Sequence, residues 1–195
     1  LNRIIALNAL KNFDLNSNIA FKELFSLLNK KNKLNINDLG YFIGPILNSG
    51  GRLGNSNYAS DLLSSNNLQI IKTKSKKLIE LNNKRKKIEN LIINEIDFKK
   101  IEKEDKKFIL YYKANLNEGL IGIIAARLKD HFNKPSIVIT KSNKILKGSA
   151  RSVSNYNIGR LIKKLKDDDI IISGGGHNMA AGFSPVSYTH LTLPT

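Results

Sequence analysis

The sequence predicts an α/β fold in which a small mixed-sheet lobe is joined by a long helix to a second, mainly helical lobe. Three observations carry that prediction. Beyond residue 106 the chain alternates β-branched and aromatic runs with segments of helical apolar spacing. Between residues 58 and 105 it is highly charged, with no Gly or Pro, and before residue 58 short helical patterns end in a glycine-rich stretch. The expected divisions are therefore 1–57, 58–105 and 106–184, with 185–195 set apart.

Taken in order, residues 19–28 place apolar side chains at helical spacing, and "NKKNKLN" interrupts them as a polar loop. Asn37 is placed to cap the helix or turn that starts at Asp38. "GPILNSGGRLGN", residues 44–55, holds one Pro and four Gly, a density that predicts a shaped loop. Across 58–104 the apolar residues Leu78, Leu81, Ile88, Leu91, Ile92 and Ile96 recur at three- and four-residue steps, predicting one long solvated helix that connects the lobes. "FILYYKA" and "PSIVIT" have strand composition, and residues 119–132 form a helix with Ile121, Ala125 and Leu128 on its apolar face. "ILKGSARS" alternates as a strand and 158–165 is again helical. The last eleven residues, "PVSYTHLTLPT", lack Lys, Arg, Asp and Glu, which sets them aside, with His190, as a non-native or disordered tail.

Composition bounds the function. A chain of 195 residues suffices for one domain or two small lobes. It begins at Leu1, so it is expected to be a piece of something longer or a processed chain. Without cysteine, disulfides and thiolate metal sites are excluded and a reducing compartment is expected. The longest apolar run, 120–126, is far below the ~20 residues of a membrane span, and no signal peptide opens the chain, so a cytoplasmic protein with no membrane partner is expected. The net charge of +16 points to an anionic partner, most simply nucleic acid, although Asn, Lys and Ile are over-used throughout.

Three stretches suit phosphate. In "SGGGHNMAAG" successive glycines can converge backbone N–H groups into an anion-binding nest, with His177 placed to donate to a phosphate oxygen. The alternative for the same residues is a glycine-rich turn with an exposed histidine. In "KGSARS", Ser149 and Arg151 are two apart on a strand and project from one face, a hydroxyl beside a planar guanidinium fork. In "NSGGRLG", Gly50 and Gly51 form the turn and Arg52 is the sole charge. Metal ligation has no support: Asp130 and His131 read as helix-end residues, and Asp167, Asp168 and Asp169 as a solvated turn.

Together and in order, these stretches resemble the RecJ family of single-stranded-DNA-specific exonucleases, within the DHH phosphoesterase superfamily. "IGPILNSGGRLG" is similar to the family's Gly-Pro-Arg-Leu-Asn-Ala-Ala-Gly-Arg motif and "LIELNNKRKKIEN" to its interdomain helix. "EGLIGIIAARLKDHFNKPSIVI", "KGSARS" and "GGGHNMAAGFS" resemble successive parts of the DHH-associated domain. Over residues 1–184 the resemblance implies the C-terminal end of a DHH lobe, a connecting helix and a DHH-associated lobe. It implies an enzyme of DNA repair and recombination that degrades single-stranded DNA from its 5′ end with Mn²⁺ or Mg²⁺. Arg52, Ser149 and Arg151 would bind the 5′ phosphate, Asn48 of the first motif the substrate, and Gly175, Gly176 and His177 would lie near the scissile phosphate. Ile46 stands where the family motif has Arg, and Leu116 and Asn117 where it has Trp-His. The Asp-His-His motif is absent from this sequence, so the resemblance puts most metal ligands outside it and implies a chain that binds without cleaving. Partners implied for the complete enzyme are 5′-phosphorylated single-stranded DNA and a single-strand-binding protein or helicase. Two alternatives stay open: a DHH-family oligoribonuclease or nucleotide phosphatase, and a non-catalytic basic nucleic-acid-binding module.

Overall fold

The computed structural model describes residues 2–30, 34–104, 106–142 and 145–186. Residues 31–33 of the expected polar loop, and 187–195 with His190, lie outside the described residues. The chain divides into two compact units, 1–88 and 89–195. No helix among the described residues is long and apolar enough to cross a membrane.

The first unit is helical. It contains α1 (Asn2–Asn12), α2 (Ile19–Leu27), a π-helical turn (Asp38–Ile43), α3 (Gly44–Leu53), α4 (Asn57–Ser64) and most of α5 (Leu68–Glu95). Ala20, Leu24, Phe25, Ile43, Ile46, Leu62, Ile71 and Leu78 form its core. The glycine-rich stretch expected as a loop is thus helix α3, which Pro45 starts in its first turn. Gly50 serves close packing: a Cβ on it would stand 2.8 Å from the Asn55 carbonyl and 3.2 Å from Leu78 of α5. Beside it the Ser49 hydroxyl is 2.6 Å from the Ile46 carbonyl and 2.9 Å from the Leu78 carbonyl. The cap assigned to Asn37 belongs to Asn35, whose Oδ1 accepts from the Asp38 N–H while its own N–H donates to the Asp38 carboxylate. That buried carboxylate also pairs with Lys30.

The single helix expected over 58–104 is three: α4, α5 and α6 (Phe98–Lys103). Neither break uses Gly or Pro. Asn67 accepts from the N–H groups of Gln69 and Ile70 to start α5, and Asp97 accepts from Lys100 to start α6, so side-chain caps set these boundaries.

The second unit carries the sheet, and the α/β class with a small mixed sheet holds. Its elements are β1 (Ile109–Tyr112), α7 (Glu118–Phe132), β2 (Ser136–Ser142), β3 (Ile145–Arg151), α8 (Ile158–Asp167), β4 (Ile171–Gly176) and β5 (Ala180–Pro185). The strand order is β1-β2-β3-β5-β4, with β1 and β2 parallel and every other pair antiparallel. Helix α7 packs on β2 and β3. On the opposite face Ile158 and Ile162 of α8 join Ala150, Ile171, Ala181 and Phe183 in a core. β5 runs to Pro185, one residue into the stretch that its lack of charge had set apart.

The expected glycine nest is not formed. Gly174 to Gly176 lie in strand β4, paired to β5, and no glycine among the described residues has a positive φ. Extended backbone turns successive N–H groups to opposite sides, so they cannot converge on one anion.

Candidate nucleic-acid interface

Strand β3 presents Ser149 and Arg151 on the α7 face, as the period of two requires. Arg151 Nη1 donates to the Ser149 hydroxyl at 3.2 Å and to the Ala150 carbonyl at 2.8 Å. Helix α7 would close over this pair but for Gly122, where a Cβ would stand 2.9 Å from Arg151 Nη2 and 3.2 Å from Ser149 Oγ. The missing side chain at Gly122 leaves room for the guanidinium beneath the helix. Burial holds the Arg151 guanidinium below its ordinary pKa, and among the described residues no carboxylate pairs with it. A half-buried cation without a counter-ion, already oriented by a hydroxyl, is suited to a phosphate.

The hairpin β4–β5 brings the other candidates to the same sheet. Register places Ser149 opposite Gly182, and Gly182 opposite Gly175, so these three form one cross-strand row. Arg151 lies opposite Ala180, at the end where the hairpin turns through residues 177–179. Gly175 and Gly182 are exposed, and a Cβ on Gly175 would meet nothing within 4 Å. Gly176 points the other way: its Cβ would clash with Ala181 at 2.4 Å, so its small size serves packing.

His177 sits exposed at the turn, its N–H donating to the Ala180 carbonyl at 2.8 Å. The turn is held from two sides. Asn157 Nδ2 donates to Asn178 Oδ1 at 2.7 Å, the Ile158 N–H to the Asn178 carbonyl, and the Ser152 N–H to the Met179 carbonyl. Gly159 lets the start of α8 come this near, since a Cβ there would stand 2.9 Å from the His177 carbonyl. The imidazole makes no hydrogen bond among the described residues and remains available to a ligand.

Asn48 and Arg52 belong to the first unit. They stand four apart on α3 and so share a face, Asn48 exposed and Arg52 half-buried. Ile46, where the resembling motif has Arg, is instead a core residue. Asn117, in the Trp-His position, caps α7 through the Gly119 N–H at 2.8 Å, and Leu116 is buried.

Sequence reasoning missed three residues of this face: Gly122, Gly182 and Lys147. The period of two that joined Ser149 to Arg151 also reaches Lys147, so that signal was present. The two glycines become legible only when the opposing element is known. A metal centre is not offered: among the described residues no three His, Asp or Glu side chains could hold an ion. Asp130 pairs with Lys129, and His131 packs edge-on against Phe98 and Phe132 with ring centroids 4.6 and 4.7 Å away.

Residues 105–187 match the family described as the DHHA1 domain. The single-stranded-DNA-specific exonuclease RecJ of Haemophilus influenzae is 34% identical over 155 residues, covering 75% of this chain and 27% of that protein. Its namesake in Bacillus subtilis is 32% identical over 187 residues, covering 94% of this chain and 24% of that protein. The chain thus spans about a quarter of the length of these curated relatives. Among solved structures, RecJ from Thermus thermophilus in complex with Mg²⁺ superposes with a TM-score of 0.73 at 22% identity, over 87% of this chain and 26% of that one. An exonuclease RecJ bound to manganese gives 0.72 at 22% identity, over 95% and 46%.

Proposed function

The chain belongs to the RecJ family, and from that premise we propose that it is the strand-binding part of a single-stranded-DNA-specific exonuclease, holding the substrate's 5′ phosphate on Ser149 and Arg151. The observation that carries the reading is the Arg151 guanidinium, half-buried beneath Gly122, bonded to Ser149 and lacking any carboxylate partner among the described residues. A terminal phosphate dianion replaces the missing counter-ion, and the planar fork and hydroxyl supply donors to its oxygens. A 5′-hydroxyl end lacks the charge and the phosphate oxygens, so the clamp selects a phosphorylated end and sets the polarity of digestion as 5′ to 3′.

His177, fixed at the hairpin turn and unbonded through its ring, donates to an oxygen of the strand near the scissile phosphate. Gly175 leaves the sheet surface free of side chains, and Gly176 keeps the turn in place. Asn48 and Arg52 offer a donor face of their own on α3. The structures of related RecJ proteins contain Mg²⁺ or Mn²⁺. The described residues do not supply a ligand set for such an ion. The chain by itself is accordingly proposed to bind DNA without cleaving it.

Fluorescence anisotropy with 5′-phosphorylated and 5′-hydroxyl single-stranded DNA of one sequence, at fixed moderate salt, tests the clamp. The phosphorylated strand binds more tightly, and Arg151→Ala removes that preference, a loss of ~1.5–3 kcal/mol for one charge-assisted contact. Equal binding of the two strands by the unaltered chain contradicts the proposal and leaves only a generic basic surface.

A further inference from the structure

The face of the sheet turned away from Ser149 and Arg151 is only partly covered. Helix α8 packs on β4 and β5, while the β1 end of the same face keeps large apolar side chains in solvent. Leu110 and Tyr112 of β1 stand beside Ile137 and Ile139 of β2, which pack towards the α8 core, yet they are 57% and 54% exposed. Phe108 precedes them at the period of two and is also exposed. Between this strip and α8 runs a trough of about 540 Å³, with Phe108, Pro135 and Ile137 on its sheet side and Ile158, Leu161 and Leu165 on its helix side. A contiguous exposed apolar surface of this kind marks a place of interaction.

Its dimensions suit a helix. Ile158 to Leu165 covers two turns, ~10 Å along α8. Neighbouring strands lie ~4.8 Å apart, so the width of two strands receives one helix packed beside another. The rim is basic. Lys107 lines the trough, and Arg160 and Lys164 stand four apart on the exposed flank of α8, one position before Leu161 and Leu165. None of the three makes an ion pair among the described residues, and the acidic run Asp167 to Asp169 begins only past Leu165. A second copy of the chain brings another +16 and the same three cations, so like charges oppose self-association. A nucleic-acid strand drawn to the rim meets an aliphatic floor that offers its polar edges nothing. Interfaces closed for good are apolar throughout, whereas unpaired cations around an apolar floor steer the encounter with a separate acidic partner.

We propose that this trough is the docking site for an acidic amphipathic helix of a separate protein, which lies over β1 and β2 beside α8. Its apolar stripe rests on Phe108, Ile137, Leu161 and Leu165, and its carboxylates meet Lys107, Arg160 and Lys164. The trough and the Ser149 and Arg151 clamp occupy opposite faces of the sheet, so the inference does not rest on the clamp, and a partner docked here leaves the clamp open.

The probe is a fluorescein-labelled peptide of about 18 residues with leucines at three- and four-residue steps and glutamate and alanine between them. It is titrated by anisotropy into the 195-residue chain and into the full-length protein, with circular dichroism confirming the fold of every variant. Both bind it with a Kd below about 1 mM. Phe108→Ala, and separately the pair Lys107→Glu and Lys164→Glu, weaken binding about tenfold, as rim charge pairs and one aromatic contact of ordinary strength predict. The charge-reversed pair instead binds a peptide in which lysine replaces glutamate, while Lys86→Glu with Lys87→Glu, exposed on α5, leaves the acidic peptide unaffected. No binding, or equal weakening by the α5 pair, reduces the trough to general basic charge and overturns the proposal. Binding by the 195-residue chain alone assigns the trough to the protein's own remaining polypeptide. A dimer in sedimentation equilibrium that Phe108→Ala dissolves assigns it to a second copy, and an equal loss of dT12 binding in the trough variants assigns it to nucleic acid; each of these three results also overturns the proposal.

Discussion

Strands β4 and β5 show two different surfaces to the two sides of one sheet. On the α8 side they are sealed: a Cβ on Gly148 would lie 2.3 Å from the Phe183 ring, and one on Gly174 would lie 2.9 Å from Ile162, Ile171 and Phe183. On the α7 side, Gly175 and Gly182 have open space above them. The alternation of a strand sends neighbouring glycines to opposite faces, so one run performs two tasks. Gly174 and Gly176 admit a neighbouring element of the protein, and Gly175 leaves room that nothing in the described residues fills. A glycine is therefore informative about a ligand only after its Cβ position has been tested against the protein's own atoms.

Substitutions on the two faces separate these roles. The largest effect is expected from Phe183→Ala, which empties the sealed side and lowers unfolding stability by ~3–5 kcal/mol in urea titration. Gly148→Ala drives a methyl into the same ring and costs ~1–3 kcal/mol. The double variant should cost less than the sum of the two, since the new methyl takes up vacated space. Strict additivity would show that Gly148 and Phe183 do not press on one another. Gly182→Ala should change stability by less than ~0.5 kcal/mol, because its methyl enters open space and its backbone is not in the left-handed region. The same variant should nonetheless weaken binding of 5′-phosphorylated single-stranded DNA, measured by anisotropy. A loss of stability matching that of Gly148→Ala would erase the distinction between the faces.

The alternation of strand and helix after residue 106 was legible because β-branched runs and helical apolar spacing are local signals. Ser149 and Arg151 were legible as neighbours for the same reason. What failed was the meaning of glycine. Residues 44–55 and 174–176 both read as loops, yet 44–53 is a helix and 174–176 a strand, and Gly50, Gly174 and Gly176 answer to Leu78, Ile162 and Ala181. Those partners are distant in sequence, and no local pattern announces them. The breaks in the long charged helix were missed for a different reason. Asn67 and Asp97 start α5 and α6 by capping, a weaker signal than Gly or Pro in a chain so rich in asparagine.

The strand order has a consequence for how the protein is made. Of these five strands β5 is synthesised after the others, yet it lies between β3 and β4 in the sheet. Until residue 185 has emerged, β4 has no neighbour to pair with and Phe183 is missing from the core beneath α8. The sheet β1-β2-β3 therefore waits with its β3 edge open, and the β4–β5 hairpin docks on that edge through β5 in one late step. A chain interrupted before residue 180 loses the two-strand side of the sheet beyond β3, and with it the row that carries Gly182 and one of the two strand partners of Arg151.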